Sequence, residues 1–210
     1  MHHTHHESLY RGPDAIARLA AVRLTVCGAG ALGSHLADNL ARQGARSLRV
    51  IDRDKVESHN VGTQLYGDSD VGARKAEVLK NRLFRTCGVE IDAVAKELNE
   101  RTADKLLAGS GLVLDTFDNS ASRRLVHETC RRLGLPCLHV GLNADYAEVL
   151  WDDGYRIPND AGADVCDYPL ARNLVLLAVA VASEVVVRSV VDEKRENWTV
   201  TLKDFAVRPG

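Results

Sequence analysis

Residues 112–119 read LVLDTFDN, an apolar run that closes on Asp115 and Asp118, with Asn119 behind them. Carboxylates delivered together at the end of a buried strand suit a hard cation such as magnesium, which takes one or two protein oxygens beside phosphate and water. Asp118 is the first candidate for that ligand. Asp115 either assists it or holds a backbone amide near the strand end, and Asn119 caps the helix that follows. A second stretch, GAGALG, sets Gly28, Gly30 and Gly33 at the spacing of a tight turn that lets a phosphate approach the backbone, with Ala31 and Leu32 inside it. Asp52 stands 19 residues beyond Gly33, placed to accept from a ribose hydroxyl. Such a turn suits NAD and ATP alike.

These residues need a frame, and the pattern of apolar residues supplies one. VRLTVC (22–27) predicts a strand, and GSHLADNLARQG (33–44) predicts a helix with Leu36, Leu40 and Ala41 on one stripe and Gly44 as its stop. SLRVID (47–52) is the next strand, and 71–88 is a helix closed by Gly88, with a strand near 89–97. A short helix over 100–109 opens with Thr102 as its cap, 111–115 is a strand, 120–134 a helix and 136–141 a strand. Beyond them, 144–157 alternates as an antiparallel or edge strand, 157–169 is a loop, 168–190 a long helix and 197–207 a final strand.

Strands alternating with helices predict a doubly wound α/β fold: a mostly parallel, Rossmann-like sheet with helices on both faces and antiparallel C-terminal strands. It is read as one domain, 1–210, with residues 1–10 as a mobile segment. In a parallel sheet, ligands sit outside the carboxyl ends of the strands, so the glycine turn and the aspartates share one rim.

IDRDKVESHNVGTQLYG (51–67), DVGARKAE (70–77) and LDTFDN (114–119) together resemble the ThiF/MoeB and ubiquitin-activating-enzyme superfamily, with the likeness running over 24–184. Asp52 and Asp54 stand at that family's Asp-x-Asp, and Val56, Glu57 and Asn60 follow as in its loop, with Gln64 at its end. Lys75 stands at the family's phosphate-binding lysine, Asp118 at its magnesium-linked aspartate and Arg123 at the arginine after the Asp-Asn pair. Thr63 occupies the place of its triphosphate arginine; Arg74, or Arg11 from a second subunit, could supply that charge.

The resemblance implies a ThiF-like adenylation domain that uses ATP and Mg2+. A small ubiquitin-like or sulfur-carrier protein ending in Gly-Gly would present its C-terminal carboxylate to the α-phosphate, giving an acyl-adenylate and pyrophosphate. The tail would pass the 157–169 loop and the 144–151 strand. A homodimer is implied as well. Cys166, in DVCDYPLARNLVLLAVAVASE (164–184), resembles the cysteine that takes the acyl group as a thioester in some activators. Two other readings stay open: a non-catalytic partner subunit, motivated by Thr63, and an NAD-dependent oxidoreductase, motivated by the three glycines and Asp52.

The 27 basic and 29 acidic residues give a formal charge of -2, so neither nucleic acid nor an anionic membrane is an expected partner. The five cysteines are odd in number and widely spaced, and no signal peptide is recognised, which points to a reducing, cytoplasmic setting. None forms a Cys-x-x-Cys pair and the lone thiols lack neighbouring ligands at zinc spacing, so no zinc is expected. Cys27, Cys87, Cys130 and Cys137 read as small buried hydrophobes, and His139 as a core histidine with its hydrogen bonds met. LVLLAVAVA (174–182) lies between Arg172 and Glu184, which leaves 11 residues between charges and predicts a buried helix rather than a membrane span. The four histidines of MHHTHH are assigned no chemistry.

Overall fold

The computed structural model describes residues 3–159 and 169–210. Its strands are β1 (Arg23–Cys27), β2 (Ser47–Ile51), β3 (Asp92–Val94), β4 (Leu112–Asp115), β5 (Cys137–Asn143), β6 (Tyr146–Trp151), β7 (Trp198–Thr201) and β8 (Ala206–Pro209). They form one sheet in the order β3-β2-β1-β4-β5-β6-β7-β8. The pairs from β3 to β5 are parallel and those from β5 to β8 antiparallel. Strand order reverses between β1 and β4, which makes that point the crevice of a doubly wound sheet. Cys27 is in register with both Ile51 and Asp115, so the three central strands end level.

The helices are α1 (His5–Arg11), α2 (Pro13–Ala21), α3 (Ala31–Gln43), α4 (Lys75–Cys87), α5 (Ala103–Leu107), α6 (Ser120–Leu133) and α7 (Arg172–Val191). Side chains alternate across a strand, and the core divides accordingly. Leu24 and Val26 of β1 and Leu112 and Leu114 of β4 join Leu36, Leu79 and Ala178 on the face covered by α3, α4 and α7. Cys27 and Val113 join Leu107, Val126 and Cys130 on the face covered by α5 and α6. α7 is long and apolar enough to cross a membrane, yet half of its most apolar stretch is buried, against α3 and strands β5, β6 and β7. Its buried Leu174, Val175, Ala178 and Ala182 form a core stripe.

Several expectations are corrected. Residues 5–11 are not a mobile end but helix α1: Thr4 is buried, and Arg11 ion-pairs with Glu184 of α7 at 2.7 Å. α2 was not anticipated; it starts on Pro13 and buries Ala15 and Leu19. α4 begins at Lys75 rather than 71, because Gly72 takes φ +89 and Arg74 bridges to Lys55. The strand near 89–97 shrinks to three residues at the sheet edge. Thr102 is the N-cap of α5 as expected, but its side chain makes no capping bond; its hydroxyl donates to Glu97 O at 3.0 Å. The single strand expected over 197–207 is a hairpin, β7–β8, turning through Phe205 at φ +52.

Candidate functional site

β1 ends in the glycine turn. Gly28 takes φ +96, and its amide donates to Ile51 O at 2.9 Å. A Cβ on Gly33 would lie 2.0 Å from Gly28 O, so no other residue fits where α3 crosses the turn. Gly30 is the N-cap of α3, and no side chain caps the helix. The first-turn N–H groups therefore lack side-chain acceptors and carry the positive end of the helix dipole.

Asp52 lines the cleft and also braces the turn. Its Oδ2 accepts from Ala29 N at 2.6 Å and its Oδ1 from Asp54 N at 2.7 Å, so the carboxylate ties the glycine turn to the following loop. Burial pushes the Asp52 carboxyl up, while those two amide bonds and then Lys75 oppose it. Tyr66 reinforces the turn by donating to Ala29 O at 2.7 Å.

A cleft of about 770 Å³ opens over the turn. Gly28, Gly30, Ala31 and Leu32 line it from the turn; Asp52, Asp54, Gln64 and Lys75 line it from the segment before α4. Asp118, Asn119 and Arg123 come from the opposite side, beyond β4. Lys75 is only 8% exposed and makes no side-chain hydrogen bond or ion pair among the described residues. A buried ammonium facing a cleft without a partner is an anion site in waiting, because desolvation is offset only by a paired charge. Gln64 Oε1 is likewise buried without a hydrogen-bond partner among the described residues.

Asp118 is exposed on the cleft and, among the described residues, accepts only a 3.3 Å bond from Asn119 Nδ2. Asn119 Oδ1 accepts from Ser122 N at 2.9 Å and caps α6, as its type suggested. Arg123, buried one turn into α6, donates to Val140 O at 2.9 Å and to the Tyr155 hydroxyl at 3.4 Å.

Three residues expected at the nucleotide stand behind the cleft instead. Gly33 serves helix packing. Asn60 is buried and accepts from Glu57 N at 2.9 Å, closing the 3₁₀ turn Ser58–Asn60. Asp115 is fully buried: it accepts from Phe117 N at 3.2 Å and meets His139 Nδ1 at 2.8 Å, with Arg123 3.6 Å away. Of the two roles left open for Asp115, it takes the amide-holding one. His139 lies between Asp115 and Asp152, 3.0 Å from the latter, and stacks on Tyr155 at 3.6 Å. Burial lowers its pKa, but the hydrogen bonds to the two carboxylates win and raise it.

Arg11 and Arg74 do not line the cleft of this chain; Arg11 is held by Glu184 and Glu7, and Arg74 donates to Arg53 O. Cys166 lies outside the described residues. Cys27, Cys87, Cys130 and Cys137 are buried free thiols. Lys96, Tyr146 and Glu148 also line the cleft and carry no motif. Tyr146 and Glu148 sit two apart on β6, so the period-2 pattern of that strand was the one signal for them.

A glycine turn at the switch point of a doubly wound sheet, backed by an unpaired lysine, places the protein in the Rossmann-like α/β class with an anion-binding rim. The chain belongs to the ThiF family, which matches residues 5–151. It is 35% identical over 131 residues to the SAMP-activating enzyme E1 of Haloferax volcanii, covering 61% of this chain and 48% of that protein. It is 30% identical over 132 residues to the sulfur carrier protein ThiS adenylyltransferase of Bacillus subtilis, covering 61% of this chain and 39% of that protein. The chain thus spans about half or less of these curated relatives. Among solved structures, E. coli MccB with ATP superposes with a TM-score of 0.81 at 18% identity, over 98% of this chain and 68% of MccB. PaaA does so at 0.75 and 20%, over 94% and 75%. These two are likenesses of fold.

Proposed function

We propose that the cleft binds ATP with magnesium and adenylates the C-terminal carboxylate of a small ubiquitin-like or sulfur-carrier protein. The observation that carries this reading is Lys75: a buried, unpartnered cation beside an uncapped helix N-terminus calls for a polyanion. The names of the Haloferax and Bacillus relatives support the same chemistry. The α3 amides and Lys75 hold the phosphates. Asp118, an exposed hard oxygen donor on the cleft, fits magnesium beside phosphate and water. When bound, that ion neutralises phosphate charge.

The incoming carboxylate is already ionised at neutral pH, so no general base is needed. Its oxygen bonds to the α-phosphorus as the bond to the bridging oxygen breaks and pyrophosphate leaves. Arg123, fixed by Val140 O, faces the charge that develops. A Gly-Gly tail fits along β6, past Tyr146 and Glu148. For the charge missing at Thr63, Lys96 and Arg53 are candidates within the chain, since both line the cleft while Arg11 is engaged by Glu184. Arg11 of a second subunit in a homodimer remains the alternative source, and Cys166 the proposed acyl acceptor, in a cytoplasmic protein.

The test is ATP–pyrophosphate exchange with carriers ending in Gly-Gly. Exchange that requires the carrier and vanishes when its terminal carboxylate is amidated supports the proposal. ATP binding without exchange for any carrier favours the non-catalytic subunit suggested by Thr63. NADH binding without ATP binding would favour the NAD reading instead.

A further inference from the structure

On the α6 side of the sheet, behind the cleft, three ligand-type atoms converge from three elements. His127 Nδ1 comes from α6, His139 Nε2 from β5, and the Asp152 carboxylate from the residue after β6; all lie within 4.8 Å of one another. Asp152 Oδ1 is 3.0 Å from His139 Nε2 and 3.3 Å from His127 Nδ1. Around a zinc ion with bonds of ~2.0–2.1 Å, tetrahedral neighbours stand about 3.3–3.4 Å apart, so these separations approach what such an ion requires. We propose that His127, His139 and Asp152 form a binding site for a divalent transition-metal ion of the zinc type, using none of the cysteines and separate from the proposed magnesium position at Asp118.

Three further observations support it. His127 Nδ1 is enclosed yet forms no hydrogen bond among the described residues, although its ring is half-buried beside His139 and Tyr155. A nitrogen in that position is placed to give its lone pair to an ion. Next, His139 Nδ1 is held at 2.8 Å by Asp115, the carboxylate–histidine pairing that fixes the ring and tautomer of a metal-ligating imidazole. Finally, Asp152 Oδ2 accepts from Cys137 N at 2.9 Å, which orients the carboxylate and leaves Oδ1 toward the two histidines. Arg123 approaches Asp115 from 3.6 Å and shares its charge, so Asp152 is the anionic ligand.

An ion here would clamp α6 to the β5–β6 hairpin. Arg123 lies one helical turn before His127, so the clamp would also set the position of an arginine that lines the cleft.

The test uses full-length protein in which the N-terminal His2, His3, His5 and His6 are replaced by glutamine, because that cluster would itself bind metal. The protein is stripped with chelator and titrated with zinc against a chromophoric competitor, then with cobalt(II). The expected result is one tight equivalent per chain and the visible absorption bands of tetrahedral cobalt. Asp115→Asn, which leaves the three ligands in place but weakens the orienting bond to His139 and the pairing with Arg123, should weaken zinc by about 10–100-fold at unchanged stoichiometry. His127→Gln removes a ligand and should weaken it by more than about a hundredfold and abolish the cobalt bands. Should His127→Gln fail to fold by circular dichroism, Asp152→Asn carries the same expectation. No tight equivalent in the parent, or unchanged affinity in the folded ligand variant, overturns the proposal.

Discussion

Replacing Lys75 with methionine keeps an unbranched stem under the cleft and removes only the ammonium. No described side chain bonds to that ammonium, so its loss strands no hydrogen-bond partner; a buried charge disappears, and the buried Asp52 carboxylate loses a favourable neighbour but keeps its two amide bonds. The two effects oppose each other, and the nucleotide-free protein should melt close to the parent's temperature. A hydrogen bond to a charged group contributes about 1.5–3 kcal/mol, which is roughly a 10- to 150-fold loss of ATP affinity. At an ATP concentration about 100 times the parent's Kd, binding stabilises the parent by about 2.7 kcal/mol; after a hundredfold loss the same ATP adds only about 0.4 kcal/mol. For a chain of this length 1 kcal/mol moves Tm by about 2–4 °C, so the ATP-induced shift should drop from roughly 5–11 °C to about 1 °C. Differential scanning fluorimetry with and without magnesium-ATP reads both quantities. A variant that keeps the parent's ATP shift, or whose nucleotide-free form melts well below the parent, would refute the assignment of Lys75 as a phosphate-facing cation.

Gly33→Ala drives a Cβ toward backbone oxygen, which cannot yield as a side chain would; a loss of about 1–3 kcal/mol is expected in denaturant unfolding, and an unchanged midpoint would contradict the turn geometry. Asn119→Ala removes the α6 cap and should cost about 1 kcal/mol, checked by the same unfolding curve, while Asn119→Ser should restore most of it. Glu184→Gln tests the α1–α7 anchor. The hydrogen bond from Arg11 holds the Glu184 carboxyl below its ordinary value, with burial opposing and Arg188 adding to the effect. The stabilisation is therefore present above the unfolded-state value and lost as pH falls through the lowered folded-state one. With a third of the side chain exposed it is at most about 1 kcal/mol. The variant should melt below the parent at neutral pH, with the gap closing in acid; a gap independent of pH would dispose of the ion pair.

What was legible in the sequence was local. β1, the glycine turn and α3 announce themselves because a period-2 strand, three spaced glycines and a 3.6-period stripe follow one another without a break. The site contacts that were not legible are those whose partners come from elsewhere in the chain. Asp52 meets the Ala29 amide only because β1 and β2 end level, and Asp115 meets His139 only because β4 and β5 are neighbours. No spacing within either segment carries that information. α2 escaped notice although its signals were present, Pro13 after Gly12 and an Ala15, Ile16 and Leu19 stripe, because they are confined to nine residues next to the histidine-rich start. The β7–β8 hairpin escaped because Phe205, not glycine, takes the positive φ of its turn.

The helix that covers β5 and β6 has a consequence for biosynthesis. Both strands are complete by Trp151, but α7 does not end until Val191, forty positions later. At about 5–20 residues per second the ribosome leaves the greasy underside of that hairpin bare for several seconds. Nascent chains should accordingly recruit holdase chaperones in this interval, and stalling between the two elements should yield insoluble product.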